Sequence, residues 1–255
     1  QHLEEVLMVE GPQTVAMIAL ETVVGTNGIL VPPDGYLQGV REICNKHGIV
    51  MMCDEVMAGF GRCGEWFAVN KWNVTPDLIC FAKGVNSGYI PLGGVVISQK
   101  IADTFRDRVF PGGLTYSGHP LACAAAVASI NIFKEEKIVE HARMLGKDVI
   151  GPALEKMKAK HPSVGDVRGL GVFWAIELVK NRETREPYVP FNASGPDAKP
   201  MMDLIVACKE RNLWPFTHFN RIHVVPPCNT PVEDVKTGLA IIDEVLDIAD
   251  KHCKN

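Results

Sequence analysis

The sequence predicts an α/β domain built on a mainly parallel sheet, followed by a smaller α+β domain. Three observations carry this. Short apolar runs alternate with a helical pattern and glycine-rich connections across the first half of the chain. The run "IVMMC" (49–53) is apolar on both of its alternating faces and ends in Asp54 and Glu55, as expected of a strand covered on both sides of a parallel sheet. Beyond residue 137 the character changes to Gly-, Val- and aromatic-rich segments around a long polar loop. The predicted division is 1–136 and 137–255.

Taken in order, "VAMIALE" (15–21) is a short strand ending in a carboxylate, followed by the loop "GTNGILVPPDG". The stretch 35–48 places Leu37, Val40, Ile43 and Cys44 at helical spacing and closes on glycine, a helix with a C-terminal cap. Strands follow at 49–53, within "PDLICFAKG" (76–84) and within "LGGVVIS" (92–98). Strand, helix, strand, loop, strand is the order of a parallel α/β sheet. An Ala-rich helix at 119–136 leads into a second helical stretch at 138–161. Residues 164–179 read as paired strands and 181–200 as a polar loop. A helix (201–211), a strand (222–227) and a closing helix (231–252) complete the chain.

Composition narrows the function classes. The 255 residues are 47% hydrophobic and 22% charged, ordinary for a globular enzyme. The formal net charge of −4 gives no electrostatic reason to expect nucleic acid or an anionic membrane as partner. No apolar run approaches the ~18 residues that span a bilayer. Eight cysteines are scattered without a C-x-x-C pair. Several, including Cys53, Cys80 and Cys123, sit inside apolar runs and read as small buried thiols of a reducing, cytoplasmic compartment, with no metal site among them.

Ligands of open α/β sheets collect beyond the carboxyl ends of the strands, so Asp54 and Glu55 stand where chemistry is expected. An apolar strand ending in two carboxylates also serves Mg²⁺ in P-loop nucleotide hydrolases, but that reading requires G-x-x-x-x-G-K-[ST], and the chain has none. Asp54 could also be a simple turn cap. Lys83 lies 29 residues beyond Asp54 and also follows a short apolar strand. Two neighbouring strand ends can therefore set an Asp and a Lys on one rim. A desolvated lysine amine is a nucleophile for carbonyls, and a carboxylate can hold a pyridinium nitrogen protonated. Together they are the pair that pyridoxal phosphate chemistry needs.

On the motifs "CDEVMAGFGRCGEWFA", "PDLICFAKGVNSGYIPLGGVVIS" and "GLTYSGHPLACAAA", in this order and spacing, the sequence resembles the class III aminotransferases of pyridoxal phosphate fold type I. The resemblance extends over nearly the whole chain. It implies that Lys83 forms the Schiff base with the cofactor and shuttles the substrate proton. Asp54 would pair with the pyridine nitrogen and Val56 pack on the ring. Thr115 would donate its hydroxyl to the phosphate of a neighbouring subunit, which implies a homodimer. Glu55 is left as a structural acid behind the site.

For substrate contacts the resemblance points to Glu21 and Arg221. Thr22 follows Glu21 where many relatives have proline. "FTHFNRIHVVPPCN" lacks an obvious counterpart of the arginine that relatives use on a carboxylate, so Arg221 or His223 would substitute, and each reads equally well as structural. Met57 replaces a glutamine found in some members and points to the amine:pyruvate and ω-amino acid:pyruvate branch. The implied activity is ping-pong transfer of an amino group from an amine or ω-amino acid to a 2-oxo acid, with pyruvate as the acceptor. Relatives with mutase, decarboxylase or racemase chemistry share the same Lys and Asp. Family members are considerably longer, so the large domain is expected to be incomplete at its N-terminal side. Such a piece would bind cofactor poorly, and a silent structural or dimerisation fragment is the reading from another class.

Overall fold

A computed structural model describes residues 1–253 of the chain. The backbone clusters into two units. The first comprises Gln1–Val23, Pro32–Phe60 and Glu65–Lys137; the second comprises Val24–Val31, Gly61–Gly64 and Ile138 onward.

The first unit contains α1 (His2–Glu10), β1 (Met17–Glu21), α2 (Tyr36–His47), β2 (Val50–Asp54), β3 (Leu78–Phe81), β4 (Gly94–Ile97), α3 (Gln99–Thr104) and α4 (Pro120–Glu135). Its four strands lie in the order β1-β2-β3-β4. β1, β2 and β3 are mutually parallel, whereas β4 returns antiparallel to β3. The sequence had indicated a mainly parallel sheet, without singling out β4 as its antiparallel member. The connection Ala82–Gly93 holds only a short 3₁₀ turn, Lys83–Val85, with no crossover helix of the kind that returns a strand in parallel.

α2 buries Leu37, Val40 and Cys44, the predicted stripe. It ends at Gly48, whose φ of 69° is left-handed and whose N–H bonds the Cys44 carbonyl, a conformation that glycine adopts without penalty. Behind the start of β2, the Asp77 carboxylate accepts from the Met51 amide at 2.8 Å and the Arg41 guanidinium at 2.7 Å. Burial pushes the Asp77 carboxyl up, but these bonds outweigh it and hold it below the usual carboxylate range. α4 buries Ala122, Ala126, Ser129 and Phe133, one stripe at helical spacing. Cys123 falls just outside that stripe and is exposed, which corrects its reading as a buried thiol. All eight cysteines are free. α1 and α3 were not expected from the sequence; α1 buries only Leu7 and α3 is six residues long.

The second unit contains α5 (Ile138–Met144), α6 (Gly151–Lys160), β5 (Val164–Leu170), β6 (Phe173–Asn181), β7 (Glu186–Pro187), α7 (Lys199–Glu210), β8 (Phe216–His218), β9 (Arg221–Val224) and α8 (Val232–Asp250). A π turn, Leu145–Ile150, joins α5 to α6, so the expected helical stretch 138–161 is one run with a widened middle. The sheet runs β5-β6-β9-β8, with β7 paired to β6, and its pairings are antiparallel. Its core joins Leu145, Ile150 and Leu154 to Ile176, Leu178 and Ile222 and to Leu239, Ile242 and Leu246 of α8. His161, buried after α6, bonds Asp250 at 2.7 Å and Asp243 at 3.0 Å, tying α6 to α8. On the opposite face of the sheet Arg168 bonds Glu177 at 2.7 Å, Asp166 at 2.9 Å and the Gly28 carbonyl at 2.9 Å. Arg221 donates to the carbonyl of Asn27. These two arginines hold the segment 24–31 in this unit.

Candidate active site

Parallel pairing sets the carboxyl ends of β1, β2 and β3 on one rim. The register places Glu21 opposite Asp54 and Asp54 opposite Cys80, with Lys83 three residues further along the chain. The sheet therefore brings Glu21, Asp54 and Lys83 to three consecutive strand ends, where α/β sheets hold ligands.

Asp54, the last residue of β2, is half-buried. Its Oδ1 accepts from the Val56 amide at 2.9 Å, so the side chain folds back on its own turn and fixes Val56 two residues on. The turn role and the ring-nitrogen role are compatible, because a carboxylate has further lone pairs to offer. Lys83 is exposed and adopts φ 43°. A left-handed backbone at a non-glycine residue costs free energy and is a feature of functional sites. Gly84 makes that turn possible. A Cβ there would lie 2.7 Å from Cβ of Phe60, and Phe60 is wedged edge-on between Phe67 and Phe81.

Glu55 is completely buried. Oε1 accepts from the Thr22 hydroxyl at 2.7 Å and the Val69 amide at 2.8 Å, and Oε2 accepts from the Ala68 amide at 2.8 Å. Burial pushes its carboxyl above the usual range, against the three hydrogen bonds, and the charge of Asp54 adds to the rise. The expected structural role of Glu55 thus has a definite form. The Thr22 contact was missed, since nothing local in the sequence links residues 33 positions apart.

Thr115 lies on a separate stretch, 106–121, in which every residue is exposed. It includes Val109, Phe110, Leu114, Tyr116 and Leu121. Arg221 and His223 belong to the second unit, on β9. His223 is buried, packs edge-on against Phe216 and has no hydrogen-bond partner at Nε2. Burial first, then the nearby cations Arg221, His218 and Arg168, push its imidazole down to about 4. A neutral ring there is no counter-ion for a carboxylate near pH 7. Arg221 donates to the Asn27 carbonyl of the segment 24–31 and to the His218 carbonyl.

The family model described as "Aminotransferase class-III" matches residues 1–246. The chain belongs to the class III aminotransferases. A taurine:2-oxoglutarate aminotransferase from Bifidobacterium kashiwanohense, determined with pyridoxal phosphate and glutamate, superposes with a TM-score of 0.92 at 44% identity, over 98% of this chain and 55% of that one. The putrescine–pyruvate aminotransferase of Pseudomonas aeruginosa is 44% identical over 192 residues, 74% of this chain and 41% of its own length. The taurine–pyruvate aminotransferase of Bilophila wadsworthia is 40% identical over 193 residues, 73% of this chain and 42% of its own. The class III chain thus spans about half the length of the relatives it matches. Its fold is that of the fold type I transaminases, and pyridoxal phosphate is the family's cofactor. The donor set fits that group, with an accessible primary amine at one strand end and a carboxylate at the next. Among the described residues no helix is long and apolar enough to cross a membrane.

Proposed function

We propose that the protein transfers an amino group from an amine or ω-amino acid to a 2-oxo acid in a ping-pong sequence. The observation that carries this is the placement of Lys83 and Asp54 on adjacent strand ends of one rim. When bound, pyridoxal phosphate supplies an aldehyde for an amine and a pyridinium ring that draws electrons from the substrate carbon. Lys83 would hold the cofactor through Nζ and would carry a proton at Nζ to and from the substrate carbon. Asp54 would keep the ring nitrogen protonated, and Val56 would pack on the ring.

Met57 and the similarity to putrescine–pyruvate and taurine–pyruvate enzymes favour pyruvate as acceptor, while the taurine:2-oxoglutarate neighbour makes the second acceptor the control. A panel of diamines, ω-amino acids and aminosulfonates, each with pyruvate and with 2-oxoglutarate, tests the reading. Turnover with a primary ω-amine and pyruvate is expected. Activity confined to α-amino acids and 2-oxoglutarate would refute it. The eight free thiols suit a reducing, cytoplasmic setting.

The functional unit in this reading is a homodimer in which Thr115 serves the partner's phosphate site. The continuous exposure of 106–121, with five large apolar side chains, supports it, since such patches mark interaction surfaces. Mixed dimers of Thr115→Ala and Lys83→Ala subunits should then recover one intact site each. Mixtures that stay as inactive as the parent variants would show that the phosphate contact does not cross between subunits.

A further inference from the structure

Around Asp54 the backbone is pinned from both sides. The Thr22 amide donates to the Asp54 carbonyl at 3.3 Å, and the Glu55 amide donates to the Cys80 carbonyl at 2.9 Å. The Glu55 side chain then extends into an interior without solvent and meets three donors. Two of them are main-chain amides of the turn Ala68–Trp72. The third, the Thr22 hydroxyl, comes from the residue directly after β1. One buried carboxylate therefore joins the end of β1, the end of β2 and the turn beneath them.

We propose that Thr22 is a positioning residue of the cofactor site, whose hydroxyl, acting through Glu55, fixes the direction in which the Asp54 carboxylate faces the ring nitrogen. The proposal rests on the cofactor reading above. Without the hydroxyl, Oε1 of Glu55 keeps one donor, from Val69, in a buried place. A buried carboxylate short of a donor is costly. The relief is rotation of Glu55 or entry of water, and either shifts the peptide that joins it to Asp54. Misplacement of a reacting contact by about 1 Å is enough to cost orders of magnitude, so a small movement is felt. Thr22 touches neither cofactor nor substrate in this account; its effect passes through one neighbour.

The test uses the pyridoxal phosphate-loaded protein with Thr22→Val, which keeps the shape and removes the hydroxyl, and Thr22→Ser, which keeps the hydroxyl. Thr22→Val should release cofactor about tenfold faster, the equivalent of one hydrogen bond to a charged group. It should also alter the visible circular-dichroism band of the bound cofactor, which reports the setting of the ring. Thr22→Ser should stay within about twofold of the parent. Glu55→Gln should exceed Thr22→Val, because an amide nitrogen cannot accept the Ala68 or Val69 amide; if that variant does not fold, the Val and Ser pair still decides. A Thr22→Val protein with a lower melting temperature but unchanged release rate and band would overturn the proposal, leaving Thr22 a structural residue only. A full-length parent protein that takes up no pyridoxal phosphate overturns the cofactor reading and this proposal with it, and that is seen before any variant is made.

Discussion

Lys83→Ala is expected to abolish both the covalent bond to the cofactor and turnover. Lys83 follows β3 after one intervening residue, Ala82, at the rim shared with Asp54, and its left-handed backbone is held by the packing of Gly84 against Phe60. Among the described residues no other lysine lies within two residues of the carboxyl end of β1, β2 or β3. Loss of the amine removes the group that fixes the cofactor and the group that moves the proton, and neither has a stand-in. Loss of a catalytic nucleophile or of its base alone can cost about 10⁶-fold in rate. Borohydride reduction of the loaded parent followed by peptide mapping gives a direct check. The label should fall on the peptide containing Lys83, and a label elsewhere would remove the assignment.

Asp54→Asn is expected to leave the covalent bond intact and slow proton removal from the substrate carbon by at least ~10²-fold, the low end for removing one preorganised electrostatic group. The amide oxygen of asparagine can still accept from the Val56 amide, so the turn after β2 should survive. What is lost is the negative charge beside the ring nitrogen. An unchanged melting temperature with a collapsed half-reaction rate would separate the electrostatic role from the turn role. A near-parental rate would mean that Asp54 serves only the turn.

These two residues were legible in the sequence because each is a polar side chain that interrupts an apolar strand at its carboxyl end. Their shared rim follows from parallel pairing, which the order strand, helix, strand already announced. The reversal of β4 was not legible. A four-residue apolar strand carries no sign of its direction, and only the absence of a helix in the preceding connection distinguishes the two senses. The knot of Thr22, Glu55, Ala68 and Val69 was hidden for a different reason. It is assembled from three stretches of chain, and a hydroxyl beside a strand end looks like any other until its partner is placed. In the second unit the paired strands and the closing helix were plain from composition and period. The neutral state of His223 was not, since it depends first on burial and then on the charges of arginines from two other places in the sheet, Arg221 and Arg168.

The segment 24–31 has a consequence for how the chain comes to be made. It is made before its partners: its Gly28 and Asn27 carbonyls meet Arg168 and Arg221 only after a further 140 and 194 residues. During that interval these two carbonyls lack their arginine donors, while the strands on either side of the segment, β1 and β2, can already pair with each other. The loop must therefore wait as an open bulge on a nascent sheet until β5, β6 and β9 exist to receive it. The entropic charge for closing so long a loop grows only with the logarithm of its length, but the search it imposes is long-range and slow. Synthesis beginning at residue 138 would produce a β-sheet whose two arginines lack the carbonyls they were selected to hold. The second unit is thus completed by a segment that comes from between β1 and β2, and by its last strand, β9, which carries one of the two arginines.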